Sequence, residues 1–600
     1  MPPPFPRHPV LVADQAGALI LGPDFQGDAL EVALEGGGSI QVPLDAERHW
    51  HILPDGVHLP CRRAAMPPLP AGHHRLSAEG AEASLTVAPM RGFLPEGRFF
   101  GLAAQTYALR RAGDQGIGDY TAMGLLAAEA ASAGARLLGI SPPHALMPVD
   151  RERASPYQPS DRRFLEPILI DLSTLPGASA ALAAQAGLFQ ALAAGAVVDY
   201  PTVWAAKRRV LRAALAHAPP ELDTFIAAGG EALSRFATFT AMAEAGGAPG
   251  MAHANDVGVA AFQRKHAEAI RFVQFQQFIA DRQLSLAATA GAGLYRDLAV
   301  GSAPDGAEIW CSPEAFLRGF SLGVPPDRLG PQGQVWGLPA PRPVATPVHL
   351  AGLLAANTRH AAALRIDHVM ALQRLFLVPD GANGAAGCYL AYPREALLAE
   401  TTLASQRGRC LIVGEDLGTV PEGLGEALAV AEVLSYRVLW FQQDERGFAP
   451  PSRWTEKAAA CVSTHDLPTL AGWWTGADLA ERKALGLLEA DEEASRATER
   501  AELIQALAQS GNLPQGVTTA SDFSDALAAG IHGHVAGGAC RMMLAQAEDL
   551  AGETMAVNLP GTDRERPNWR QRLSVAVPGL VATPRGQAII AAIRAHRGAA

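Results

Sequence analysis

From residue 99 onward, short apolar runs alternate with long stretches whose apolar residues recur at helical intervals. The runs are "FFGLAAQTYAL" (99–109), "ARLLGISPPHAL" (135–146), "GLYRDLAV" (293–300) and "ALRIDHVMAL" (363–372). They continue with "CLIVGEDLG" (410–418), "LSYRVLWF" (434–441), "ACVSTHDL" (460–467) and "TMAVNLPG" (554–561). Strands that alternate with helices imply parallel βα units. Eight of them predict an α/β fold of the (β/α)8 TIM-barrel class. The long intervals at about 150–290 and 468–550, such as "FQRKHAEAIRFVQFQQFIADRQLSLAATA", read as helical insertions. Residues 1–95 follow another rhythm. "ALEVALEGGGSIQVPL" and "WHILPDGVHLP" alternate apolar and polar positions between Gly and Pro turns. That pattern predicts a small β-sandwich-like domain of short antiparallel strands at 1–95, ahead of a catalytic barrel at 96–600.

Length supports more than one domain, since 600 residues exceed one ordinary core. The hydrophobic fraction of 48% and charged fraction of 18% are those of a soluble globular protein. A net charge of −11 argues against nucleic acid and against an anionic membrane surface. A neutral substrate such as a sugar fits. The six cysteines form no CxxC pair and no zinc spacing, which points to reduced thiols and a cytoplasmic setting. The opening "MPPPFPRHPVLVADQ" places prolines where an export signal needs an apolar helix. Residues 172–198 carry no charge, but they are rich in Ala and Gly and read as a helical pair, not a membrane span.

Charge placement changes the picture further. Arg365, Asp367 and His368 interrupt the fourth apolar run, where charge costs several kcal/mol unless paired or used. The fifth run ends with Glu415 and Asp416, the seventh with His465 and Asp466, and the third carries Asp297. In a barrel these positions crowd one mouth. Two carboxylates flanking a scissile bond are what glycosidic chemistry needs, ~5–5.5 Å apart when configuration is retained. Arg365 shares a strand face with Asp367 and can hold it ionised, which suits a nucleophile. Glu415 follows an apolar strand and adjoins Asp416; both features can raise its pKa, which suits an acid/base. Each motif alone has a structural reading: an ion pair, acids at a helix N-terminus, a capped turn before a Pro-started helix. A metal site built from His368, His465, Glu415 and Asp367 lacks any HExxH or HxH pair. "GDQGIGD" lacks the dinucleotide fingerprint, so no metal and no cofactor are expected.

"LRIDHVMAL", "VGEDLGTVP" and "STHDLPTL" resemble, in order, the three catalytic segments of the 4-α-glucanotransferase (amylomaltase, disproportionating enzyme) family of the α-amylase clan. "SPYQPS" (155–160), "GVPPDRLGPQGQVWGLP" (323–339) and "VNLPGTDRERPNWR" (557–570) resemble its sugar-contacting, arching-loop and closing segments. The resemblance implies a retaining transfer of α-1,4-glucan segments between maltodextrins. Asp367 would be the nucleophile, Glu415 the acid/base and Asp466 the third carboxylate. Arg365, His465, Asp297, Tyr157, Asp327, Gln334 and Trp336 would contact or support sugar. Arg328 and Leu329 stand where short members carry aromatics, and "THDL" replaces their "THDN"; with the extra β-domain, this matches the long bacterial branch. The rival readings are a hydrolase or branching enzyme of the same clan, and a catalytically dead glycan-binding protein.

Overall fold

The computed structural model describes residues 5–598, apart from 23–24, 53–55, 57, 248–249, 327–331 and 490. Six of the eight apolar runs contain a barrel strand, Phe99–Ala104, Leu137–Ile140, Gly293–Leu298, Ala363–Ile366, Leu411–Gly414 and Ser435–Val438, and the seventh overlaps the last two residues of another, Ala458–Cys461. The eighth strand is Met542–Gln546, and residues 554–561 form a loop instead. "MMLAQ" is buried at every position and runs straight into the helix Ala547–Ala551. A short, wholly apolar strand carries no period-2 signal and cannot be told from a buried helix by pattern.

All neighbouring strands pair in parallel, in the order fifth, fourth, third, second, first, eighth, seventh, sixth. The ring closes between fifth and sixth through one bridge, Val413 with Leu434. Two backbone bonds support it: Gly414 N–H to Leu434 O (2.7 Å) and Leu434 N–H to Ile412 O (3.0 Å).

Side chains alternate across each strand, so every second residue points into the barrel. The inward set includes Phe99, Leu137, Tyr295, Ala363, Val413, Tyr436, Cys461 and Leu544, packed as one cluster. The outward set meets the helices. Leu364, for example, packs with Leu353, Leu354 and Leu397.

Among the described residues, the interval after the second strand holds a two-stranded ribbon (His144–Ala145 with Asp161–Leu165) and six α-helices, ending with Ala267–Ala288. Residues 172–198 include two short helices, Ser179–Ala184 and Ala186–Ala194. Among the described residues no helix is long and apolar enough to cross a membrane. A hairpin, Phe316–Val324 with Gln334–Pro341, rises after the third strand; Arg374–Pro379 and Cys388–Ala391 extend it into a four-stranded sheet.

Ahead of the barrel, two sheets enclose a shared core of Leu19, Leu21, Leu30, Val32, Leu76, Leu85 and Val87. Pairing is antiparallel except for Val10–Val12, which runs parallel to Ala81–Ala88. This β region leans on the barrel helix Arg394–Gly408. Glu400 accepts from Thr86 Oγ1 (2.7 Å) and pairs with His73 Nε2 (2.8 Å), while Ala88, Ala399 and Leu403 pack beside them.

Leu364 is fully buried in the strand that leads to Asp367. Leu364→Ala is expected to destabilise the fold by ~2–5 kcal/mol. A lowered urea midpoint with an unchanged slope is the expected signature.

Candidate active site

Strand periodicity delivers the charges to one place. Asp297 lies two residues beyond inward Tyr295, Arg365 two beyond inward Ala363, and Glu415 two beyond inward Val413. The parallel register sets Asp297 opposite Arg365, and Arg365 opposite Val413. Polar side chains therefore cap the apolar interior at the C-terminal end of the barrel.

Arg365 is the centre of this cap. Its Nη1 donates to both oxygens of Asp297 (2.9 and 3.0 Å). Its Nη2 lies 2.8 Å from Asp367 Oδ1 and 3.9 Å from Glu415 Oε2. One cation is thus shared among three acids. Tyr157 Oη donates to Asp297 Oδ2 (2.6 Å), and its ring stacks on His465 with centroids 4.7 Å apart. His465 Nε2 lies 3.3 Å from Asp466 Oδ2. A single run of contacts therefore links Glu415, Asp367, Arg365, Asp297, Tyr157, His465 and Asp466.

The local environments differ. Burial, assisted by the charge of Asp367, pushes the Glu415 carboxyl up to about 7, against the pull of Arg365. It also accepts N–H bonds from Leu417 (2.7 Å) and His368 (2.9 Å). His368, which donates this bond, adopts a left-handed backbone (φ 49°). Burial also raises the Asp297 carboxyl, again against Arg365. At Asp466 burial disfavours the charge, but His465 and Asn558 outweigh it and hold the carboxyl down at about 2. Nearly half of that side chain faces the open mouth. The His465 pKa is raised: its burial works against the proton, and Asp466 overcomes it.

Asp416 does not act on Glu415 as the sequence pattern implied. It accepts from Tyr436 N–H (2.8 Å) and from Arg437 Nη1 (3.1 and 3.2 Å). Successive residues of an extended chain face opposite ways, so Asp416 points out of the site that Glu415 enters.

Trp336 reaches the site through His368, edge to face at 5.2 Å. Its indole N–H donates to Gln334 Oε1 (3.0 Å), and its carbonyl accepts from Gln158 Nε2 (3.2 Å). Asp327 lies outside the described residues. Among those described, no group of three or more His, Cys, Asp or Glu is arranged to hold a metal ion.

Two neighbours of the site were not singled out as site residues. Asn558 donates from Nδ2 to Asp466 Oδ1 (2.7 Å), and Trp569 sits 5.4 Å from the Tyr157 ring and 5.5 Å from that of His465. Both come from the closing segment. Reading 554–561 as a strand hid the loop that carries Asn558 over the mouth.

A family model for 4-alpha-glucanotransferase matches residues 104–577. The 4-alpha-glucanotransferase of Mycobacterium tuberculosis is 34% identical over 559 residues, covering 84% of this chain and 76% of its own. That of Haemophilus influenzae is 31% identical over 576 residues, covering 85% and 81%. The crystal structure of amylomaltase from Corynebacterium glutamicum superposes with a TM-score of 0.88 at 28% identity, over 99% of this chain and 90% of that one. Family model, relatives and fold converge: the chain belongs to the 4-alpha-glucanotransferase family and is an enzyme of that activity.

Proposed function

We propose that this enzyme moves α-1,4-glucan segments between maltodextrins by a retaining double displacement. The observation that carries the reading is Arg365 set between Asp367 and Glu415, within reach of both. Such an arrangement suits a carboxylate pair on either side of one glycosidic bond.

In the first step an Asp367 carboxylate oxygen attacks C1. The bond from C1 to the leaving oxygen breaks, and the Glu415 proton passes to that oxygen. A glucosyl ester on Asp367 remains, and the shortened glucan departs. In the second step the 4-OH of another glucan attacks C1 while Glu415, now a carboxylate, takes its proton. The ester bond breaks and Asp367 is regenerated. Two inversions leave the α configuration intact. The raised pKa of Glu415 keeps a proton available near neutrality and allows its return.

Asp466, held ionised, is assigned the grip on sugar hydroxyls, with Asn558 fixing its rotamer. Tyr157 and Trp336 offer aromatic faces to glucose rings. Asp327 and Gln334 are assigned further sugar contacts. Transfer must outrun hydrolysis, and we assign the exclusion of water to the 323–339 segment together with bound sugar.

Maltotriose separates transfer from hydrolysis. The purified protein is expected to give glucose plus a ladder of longer maltodextrins; products no longer than maltotriose would mark a hydrolase. Glu415→Gln is expected to lower kcat by ~10²–10⁴-fold. Asp367→Asn is expected to abolish turnover and the trapped glucosyl ester seen by intact mass, and full activity in that variant would remove Asp367 from its role. The first step needs a protonated Glu415, so kcat/KM for maltotriose should fall as pH rises through about 7. Asn558→Ala removes a hydrogen bond to a charged group and should lower kcat/KM about tenfold with the melting temperature unchanged.

A further inference from the structure

We propose that Asp416 is a positioning residue for the reaction: its carboxylate latches the seam of the barrel and so fixes Glu415 where it can protonate the leaving oxygen. The inference rests on the acid/base role given to Glu415 above and adds what holds that acid in place. The Asp416 side chain is nearly buried and both its oxygens are engaged, yet no step of the double displacement uses it. An acid withdrawn from water must be paired or employed.

The seam lies between the fifth and sixth strands. Every other pair of neighbouring strands in the ring shares a continuous ladder. Here, among the described residues, one isolated bridge joins Val413 to Leu434. Two residues farther along, the Tyr436 N–H goes to Asp416 Oδ1 (2.8 Å), where a longer ladder would use a backbone carbonyl. Arg437 completes the latch. Its Nη1 donates to both oxygens of Asp416 (3.1 and 3.2 Å) and to the Tyr436 carbonyl (2.6 Å). A side chain thus carries the closure on where backbone pairing stops.

Glu415 stands between this latch and the fourth strand. Its N–H donates to Ile366 O (3.0 Å) and its carbonyl accepts from Val369 N–H (2.9 Å), on the side of Asp367. On the other side, the last ties before the mouth are Gly414 N–H to Leu434 O (2.7 Å) and the Asp416 carboxylate. Without the latch, the backbone at Glu415 and Asp416 is anchored to the fourth strand alone. The latch also sits at the reacting layer. Tyr436 is buried in the barrel interior, and the Arg365 guanidinium lies over its ring, 5.8 Å from the centroid. A displacement of about 1 Å at a reacting group can cost ~10²-fold in rate, so a tie this close to the acid bears on catalysis.

An α-maltotriosyl fluoride donor tests this. Fluoride leaves C1 without a proton as Asp367 attacks, whereas the glycosidic oxygen of maltotriose needs the proton of Glu415. Asp416→Ala is expected to lower kcat/KM on maltotriose about tenfold or more, while kcat/KM for fluoride release stays within about twofold of the parent. Asp416→Asn keeps an oxygen for the Tyr436 N–H and is expected to recover most of the loss. Arg437→Met removes the other half of the pair. It is expected to show the same imbalance, about fivefold on maltotriose, and it carries the test if Asp416→Ala does not fold. Equal losses on both donors, or a lowered melting temperature with both rates intact, would overturn the latch, since a merely structural residue gives those results. Glu415→Gln calibrates the comparison. If its loss falls equally on both donors, the acid role itself fails and takes this proposal with it; if its loss is confined to maltotriose while that of Asp416→Ala is not, the latch alone fails.

Discussion

One guanidinium shared by three acids is the constraint around which the catalytic end of this barrel is organised. Arg365 reaches Asp297, Asp367 and Glu415 inside a mouth largely withdrawn from water. A single positive charge cannot offset three negative ones in a poorly solvated space, so protons must be retained somewhere. Burial raises both Asp297 and Glu415 against the pull of Arg365. Glu415 is the most distant of the three from Arg365 and is nearly buried, and its carboxyl rises to about 7. Asp367 has the close contact at 2.8 Å. Burial beside one shared cation leaves Glu415 able to hold a proton near neutrality, as acid/base chemistry at a glycosidic bond requires.

The barrel supplies this arrangement through two regularities, period-2 alternation and parallel register. Inward positions along the third, fourth and fifth strands are Tyr295 then Asp297, Ala363 then Arg365, and Val413 then Glu415. Apolar residues fill the lower layer and charged ones the layer above, so the energetic penalty of buried charge is met by neighbours brought in by the register itself. A one-residue slip in the fourth strand would turn Arg365 outward and bring Leu364 to the mouth.

Much of this was legible in the chain. Charges at the ends of apolar runs signalled a shared mouth because a core strand tolerates charge only where it is paired or used. Six strand positions, and part of a seventh, followed from apolar runs set between helical stretches. The eighth did not, because "MMLAQ" has no polar alternation and no turn residue before its helix. The same gap hid Asn558, whose place over the mouth depends on a loop read as a strand. Asp416 misled for another reason. Adjacency in sequence implied electrostatic coupling to Glu415, whereas extended backbone sends neighbours to opposite sides, and Arg437 collects it. Trp569 depends on tertiary folding of the closing segment, which local pattern does not encode.

Glu400 bears on how the N-terminal β region is joined to the rest. It is a nearly buried carboxylate on a barrel helix, and its two oxygens are taken by Thr86 and by His73, both from that region. Ala88 seals the same contact against Ala399 and Leu403. The β region is therefore fastened to the barrel through a buried contact. Cutting the chain between it and the barrel would strip an apolar patch and orphan an acid on the helix Arg394–Gly408. A shortened chain would expose Ala399 and Leu403 and leave Glu400 without these two partners.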